Sequence, residues 1–226
     1  ITIATLGNAS DFGDLITASG YKRGSASLTR GIFAGGWEPS ASATDMEYVT
    51  ISSTGNAFDF GQCIGGQQSS TGCSDSTRGI ICAGGQVPSN PLTQTIEYVT
   101  FSSLGDASAF GDLVEPMFAG AGFGSPTRGI FAGGYVPSPA TTVNTIQYIT
   151  ISTFGNAQDF GDLTVIRNSS GGSSSTTRGL TISGGTTPNA STDVIDYVTI
   201  ATLGDAIDFG NLTESTRGAC SVNSTV

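Results

Sequence analysis

The sequence predicts an all-β fold, a β-propeller of about five blades with four antiparallel strands each. The first observation is a block, TRGIFAGG, that stands at 29–36 and again at 127–134, with near copies at 77–85 and 177–185. The second is a block that keeps step with it, EYVTISSTGNAFDFG at 47–61, which recurs at 97–111, 147–161 and 196–210 and opens the chain at 1–13. A fixed period of roughly 50 residues is typical of propellers and repeat arrays.

The repeat at 127–176 shows why each element is predicted. Gly129–Ala132 is a short apolar run that ends at a double glycine, where a strand stops, and YVPSPATTVN follows as a loop. Thr145–Ile151 is rich in β-formers and is the strongest predicted strand. Phe154–Ala157 forms a turn, since glycine and asparagine tolerate positive φ. A weaker fourth strand is expected around Thr164–Ser170. The apolar residues show no period of 3.6, which excludes helices.

The repeats leave room for a single domain spanning residues 1–226. Their approximate bounds are 1–46, 47–96, 97–146, 147–195 and a partial repeat at 196–226. We expect strands from both ends to close the last blade, with Ile1–Ala4 beside the C-terminal segment, because closure removes free sheet edges. Two assignments of the end are open. Arg217 either begins a fifth TRG strand, or it matches Arg167 and the blade is left short or completed by another chain.

Composition argues against several classes of function. The net charge is −10 with only 8 basic residues, so nucleic-acid binding is not expected. No apolar stretch is long enough to predict membrane insertion. The chain has no histidine, the usual general base and metal ligand, and we therefore predict no enzyme activity, no metal and no cofactor. A disulfide between Cys63 and Cys73 requires their strands to be neighbours, whereas Cys82 is expected to be a small core residue.

The order of motifs resembles the kelch repeat, in which a strand ending in a double glycine is followed by a loop, a strand carrying tyrosine, and an aromatic residue before Asp-Leu. The double glycines are Gly35-Gly36, Gly84-Gly85, Gly133-Gly134 and Gly184-Gly185. The strand tyrosines are Tyr48, Tyr98, Tyr148 and Tyr197. The kelch tryptophan is absent, and the residues nearest to its role are Phe12, Phe60, Phe110, Phe160 and Phe209. This resemblance implies one four-stranded propeller blade per repeat.

The wording of the repeats is also similar to that of kelch-like virion structural and tail-fibre proteins of marine and cyanobacterial phages. That resemblance covers almost the whole chain. It implies a virion or extracellular location and a structural or adhesive role.

Two charged positions recur once per repeat, and we predict that both are structural. The arginine of TRG follows an aspartate by 19 residues in three repeats, so an ion pair beside each turn is expected. The arginines are Arg30, Arg78, Arg128 and Arg178; the aspartates are Asp11, Asp59, Asp159 and Asp208, with Ala109 in the third repeat. A ring of arginines that binds an anion is the alternative.

Two segments vary between repeats while the framework stays constant, and recognition is expected there. The first is the loop after the double glycine, which opens with Trp37, Gln86, Tyr135 and Thr186. Exposed aromatic residues beside small hydroxyl residues suit sugar stacking and polar recognition, although Trp37 is equally suited to capping the blade below it. The second variable segment lies between Asp-Leu and TRG, around Tyr21–Leu28 and Phe118–Phe123.

The sequence therefore favours a non-enzymatic virion or extracellular propeller, of the phage tail or fibre type, that attaches to a host cell-surface glycan or to another virion protein. Homo-oligomerisation is left open. The alternatives are a kelch-type scaffold for protein–protein interaction and a secreted lectin-like propeller; a propeller enzyme is the weakest hypothesis.

Overall fold

A computed structural model describes residues 8–38, 41–85, 92–137, 139–186 and 190–219. All regular structure in these ranges is β-strand, as the sequence predicted. The described residues contain no helix that could cross a membrane.

The strands form four antiparallel sheets that follow one another around a ring, and the fold is a four-bladed β-propeller. In each blade the four strands pair in chain order, with the first strand innermost. Blade 1 contains β1 (Arg23–Ala26), β2 (Arg30–Ala34), β5 (Asp45–Thr50) and β6 (Phe58–Gln62), with a small hairpin of β3 (Trp37–Glu38) and β4 (Ala41–Ser42). Blade 2 contains β7 (Thr71–Ser74), β8 (Arg78–Gly85), β9 (Leu92–Thr100) and β10 (Ser108–Asp112). Blade 3 contains β11 (Ala121–Gly124), β12 (Arg128–Pro137), β13 (Ala140–Thr150) and β14 (Gln158–Asp162). Blade 4 contains β15 (Gly171–Ser174), β16 (Arg178–Thr186), β17 (Ala190–Thr199) and β18 (Ile207–Thr216).

The prediction of five blades is wrong: the described residues form four. The block at 196–210, which the sequence suggested as the start of a fifth blade, supplies the third and fourth strands of blade 4. Each blade therefore joins the TRG block to the tyrosine block that follows it, across the repeat bounds. The predicted closure by Ile1–Ala4 and the extreme C-terminus lies outside the described residues.

The second and third strands are longer than predicted, and the fourth lies elsewhere. In blade 3 the expected loop YVPSPATTVN is mostly strand, because β12 and β13 continue their pairing as far as Pro137 and Ala140. The expected fourth strand at Thr164–Ser170 is a connection between blades, and the outer strand is instead the DFG segment of β14. Residues 141–146 are rich in β-formers, which favours the longer hairpin even though prolines stand beside it.

The apolar core lies between the blades. Each blade presents one face, which we call the trailing face, to the leading face of the next blade. In the first interface Ile32, Met46 and Phe60 of blade 1 pack against Val99 and Phe101 of blade 2, and the next two interfaces repeat this packing. Fully burying one such side chain contributes about 1.5–3 kcal/mol, so a blade depends on its neighbours for most of its core.

A Gly-Asn-Ala or Gly-Asp-Ala turn links each blade to the outer strand before it. Between blades 2 and 3, Asn156 Oδ1 accepts a hydrogen bond from the backbone N–H of Asp112 at 3.1 Å, and the N–H of Gly155 donates to the carbonyl of Phe110 at 3.0 Å. The equivalent acceptors elsewhere are Asn56, Asp106 and Asp205. We call this arrangement the turn clasp. It explains why GNA or GDA recurs in the sequence.

A second ladder runs along the connections that lead into the innermost strands. The N–H of Ala119 donates to the carbonyl of Ser69, that of Ser169 to Ala119, and that of Gly218 to Ser169. Gly218 therefore occupies the place of Ser169, so Arg217 corresponds to Asn168, the residue after Arg167. Arg217 does not begin another TRG strand, and it stands one position away from the match to Arg167 that the second assignment gave.

Candidate functional site

The two variable segments of the repeat meet at one end of the blades. The segment that precedes each innermost strand forms an isolated antiparallel bridge with the second strand of the blade or, in blade 1, with β3 just after it. These bridges join Gly20 to Trp37, Gln68 to Gly85, Phe118 to Tyr135, and Asn168 to Gly185. We call this end the loop face and define it by those eight residues. The two surfaces that the sequence offered for recognition, after the double glycine and around Phe118, are therefore parts of one surface.

The backbone turn beneath the loop face requires positive φ at two consecutive residues. Gly133 and Gly134 have φ of +63° and +120°, and a Cβ on Gly133 would press on the carbonyl of Arg167. In blade 4 the same two positions hold Ser183 (φ +53°) and Gly184 (φ +133°). The text RGLTISGG has one more residue before its double glycine than RGIFAGG has, which shifts the register by one.

This shift changes which predicted residues are equivalent. Tyr135 is in register with Gly185, and Thr186 lies one residue further along β16, where it pairs with Ala190. Gln86 lies outside the described residues. The structure thus brings Trp37 and Tyr135 to equivalent positions in blades 1 and 3 but places Thr186 at a different one.

The aromatic residues of the loop face differ in exposure. Trp37 is 38% exposed, and its backbone exchanges two hydrogen bonds with Gly20. Tyr135 is half-buried and packs edge-to-face with Phe118, with ring centroids 5.2 Å apart. Tyr21, directly after Gly20, is 66% exposed with φ of +57°. Phe118 and Tyr21 extend the aromatic surface beyond the residues that the sequence singled out.

Blades 2 and 4 present amides where blades 1 and 3 present aromatic rings. Gln68 and Asn168 stand opposite glycines, Gly85 and Gly185. Asn168 Nδ2 donates to Thr142 Oγ1 at 2.9 Å, and its Oδ1 accepts from Ser169 Oγ. The loop face therefore alternates apolar rings with amide groups around the propeller.

The repeated arginines connect blades through backbone carbonyls. Arg128 Nη1 donates to the carbonyl of Ile200 at 2.8 Å, and its guanidinium lies 4.9 Å from the ring centre of Tyr148. Arg30 and Arg78 donate in the same way to Phe101 and Ile151. Arg178 stacks on Tyr197 at 4.4 Å.

The expected ion pairs between these arginines and the repeat aspartates are not formed in the part of the chain that the structure describes. Its ion pairs are Lys22–Glu47 and Arg167–Asp196. Asp11 and Asp208 instead accept hydrogen bonds from the N–H groups of Gly13 and Gly210, two residues ahead in the chain. The spacing of 19 residues is the distance in the chain from the start of an outer strand to the start of the second strand of the next blade, as from Asp59 in β6 to Arg78 in β8, and not a contact between side chains.

Sequence reasoning missed a buried polar position in the third strand of each blade, at the first residue of the tyrosine block. It holds Glu47, Glu97, Gln147 and Asp196. Each accepts a backbone N–H from the connection that follows an outer strand, at Ile16, Ile64, Val114 and Thr164 respectively. Their recurrence as E, E, Q and D before Tyr was the available signal. They fix the connections beneath the loop face.

The side chains that face these polar groups differ between blades. Lys22 Nζ lies 3.2 Å from Glu47 Oε1. Gln67 Nε2 donates to Glu97 Oε1 at 2.6 Å, and no cation pairs with Glu97 among the described residues. Burial raises the pKa of Glu97, and the N–H groups of Ile64 and Gly65 oppose that shift.

Cys63, Cys73 and Cys82 are free and buried, so the disulfide considered between Cys63 and Cys73 is not formed. Burial raises the pKa of the Cys63 thiol and that of the Cys73 thiol to about 12. The described residues contain no group of three or more acidic or cysteine side chains placed to hold a metal ion.

Searches against protein-family models and against curated protein sequences find no match to this chain. The fold and the loop face are therefore the basis for any functional argument.

Proposed function

We propose that this chain is a non-enzymatic propeller module whose loop face attaches to a surface ligand, either a glycan of a host cell or a neighbouring virion protein. The observation that carries the proposal is the meeting of both variable segments at one end of a rigid scaffold. The framework text is nearly constant, whereas the residues at that end differ from blade to blade. Loops on a rigid scaffold are where proteins commonly place recognition.

The chemistry of the loop face favours a glycan over a small substrate. Trp37 and the Phe118–Tyr135 pair offer apolar ring surfaces, and Gln68 and Asn168 offer amides. Sugars present both C–H faces that stack on rings and hydroxyl groups that bond to amides. Several shallow sites around one ring suit a repeating ligand, because avidity adds to weak single contacts.

The phage tail or fibre role is part of this proposal and is supported by the similarity of the repeat text to kelch-like virion proteins. A virion or extracellular location follows from that role. A kelch-type scaffold that binds a protein through the same face is the second candidate, supported by the apolar character of the three aromatic side chains.

The test compares binding of the wild-type protein and the double variant Trp37→Ala, Tyr135→Ala to a glycan array and to host cells. The affinity of the double variant should be roughly tenfold lower than that of the wild type, since two ring platforms are lost. Leu104→Ala is the matched control, because Leu104 is an exposed apolar residue (56%) at the opposite end of the blades. Equal glycan binding by all three proteins would refute the proposal, and binding only to a purified virion protein would favour the scaffold.

A further inference from the structure

Except at its inner edge, where Ala219 lies against Gly171, the trailing face of blade 4 is not covered by the described residues, although its residues match those that are buried in the other blades. Phe160 of blade 3 is 2% exposed beneath blade 4, whereas the equivalent Phe209 is 54% exposed. Leu180, Ile182 and Ile195, which correspond to fully buried residues of blade 3, are only half-buried. Blade 4 therefore retains an apolar face that its three predecessors cover with a neighbouring blade.

Two polar features of the same face also lack their usual partners. Arg30, Arg78 and Arg128 each donate to a backbone carbonyl of the next blade, but none of the described residues accepts a hydrogen bond from the Arg178 guanidinium. Gly161 lies against the turn clasp of Gly204, whereas no described atom lies within 4 Å of a Cβ built on Gly210. An arginine without an acceptor and an outer strand without its clasp coincide with the exposed apolar residues.

The covered faces show which segment supplies all three contacts at once. On the trailing face of blade 2 it is residues 143–157, VNTIQYITISTFGNA. Ile149 and Ile151 enter the core, the carbonyl of Ile151 accepts from Arg78 at 2.8 Å, and Asn156 forms the turn clasp. One strand followed by a Gly-Asn-Ala turn therefore satisfies the apolar, carbonyl and amide requirements of a trailing face.

We propose that the trailing face of blade 4 is a docking site for a partner protein that carries this strand-and-turn block, so that the partner adds a blade edge to the propeller. The occupant is defined by chemistry: alternating β-branched residues on one side of an extended strand, a free carbonyl opposite Arg178, and a Gly-Asn-Ala or Gly-Asp-Ala turn. Strand addition of this kind obtains affinity from backbone hydrogen bonds and specificity from alternate side-chain pockets. The site is separate from the loop face, so it can be tested independently of glycan attachment.

The experiment uses a fluorescently labelled peptide of residues 143–157 and the full 226-residue protein. Fluorescence anisotropy should show saturable binding to the wild type. Phe209→Asp should abolish binding, because a carboxylate would enter the apolar interface. Arg178→Ala should weaken it about tenfold, which corresponds to one hydrogen bond from a charged donor. Leu203→Asp, on an equally exposed leucine (56%) in the turn of the same blade, should bind like the wild type.

A peptide with Ile149→Asp and Ile151→Asp should not bind. Circular dichroism of each protein variant shows whether it is folded, and since Phe209 and Arg178 are both exposed, both variants should be. Absence of peptide binding to the wild type would overturn the proposal, and would point to a face covered by the chain's own copy of the block at 1–9. Concentration-dependent dimerisation that Phe209→Asp abolishes would also overturn it, in favour of a second copy as the occupant.

Discussion

Replacing Arg128 by alanine tests whether the arginine of TRG holds neighbouring blades together. The side chain is half-buried, its Nη1 donates to the carbonyl of Ile200 at 2.8 Å, and its guanidinium lies over Tyr148. Arg128→Ala removes both contacts and leaves the carbonyl without its donor at the interface between blades 3 and 4. We expect lower stability and no local loss of secondary structure, because the strand itself is held by backbone pairing with β13.

The magnitude follows from the two contacts. A buried carbonyl left unsatisfied costs about 1–3 kcal/mol, and loss of the cation–π contact costs about 0.5–1 kcal/mol. The free energy of unfolding should therefore fall by about 2 to 3 kcal/mol. For a chain of this length that lowers Tm by roughly 4–10 °C.

Arg178→Ala is the matched control. Arg178 stacks on Tyr197 at 4.4 Å, but among the described residues it has no carbonyl acceptor. Its removal should lower the free energy of unfolding by only about 0.5–1 kcal/mol, and the difference between the two variants measures the bond between blades.

Urea unfolding followed by circular dichroism gives both free energies, and thermal melts give the Tm values. Equal destabilisation by Arg128→Ala and Arg178→Ala would refute the reasoning. An unchanged Tm for Arg128→Ala, with loss of anion or ligand binding instead, would show that the arginines form a binding ring.

Three further predictions concern the core. Because burial raises the pKa of Glu97, folding favours its neutral form, and this residue lowers stability as pH rises above about 4.5. Glu97→Gln, which copies Gln147 of blade 3, should therefore raise the free energy of unfolding at pH 7 and flatten its pH dependence in chemical denaturation. A lower stability of the variant at pH 7 would contradict this. Gly61→Ala should lower the free energy of unfolding by about 2–4 kcal/mol and Gly105→Ala by only about 1 kcal/mol, measured by chemical denaturation. Both glycines have the same positive φ, but only a Cβ on Gly61 would meet a neighbouring backbone. Equal effects would argue against close blade packing. The thiol of Cys73 should not react with a disulfide reagent at pH 8 until the protein unfolds, because burial raises its pKa to about 12; fast reaction of the native protein would contradict that burial.

The sequence by itself determined the all-β class, the period and the location of most strands. Apolar β-branched runs such as those in β12 and β13 lack the 3.6-residue period of a helix and therefore predict strands. Glycine with asparagine or aspartate marks the turns. It also singled out both variable segments and the recurrence of the arginine. These features are local, so they can be recognised without knowing which strands pair.

Only the tertiary structure decided how the repeats are divided into blades. The sequence does not show that each tyrosine block completes the blade begun by the TRG block before it. Because the blades are divided in this way, the five sequence repeats give four described blades. The tertiary structure also decided that the partner of Arg78 is the carbonyl of Ile151, 73 residues along the chain, and not Asp59, 19 residues before it. A backbone carbonyl has no signature in the sequence, because every residue carries one.

The equivalence of the loop positions was likewise a tertiary matter. One extra residue before the double glycine of blade 4 moves Gly185 into register with Tyr135, and Ser183 takes the positive φ that Gly133 has in blade 3. Alignment by text places the glycines together, whereas strand pairing aligns backbone hydrogen bonds. The physical reason is that pairing in a sheet is set by the ladder of N–H and carbonyl groups, to which the identity of a single side chain contributes little.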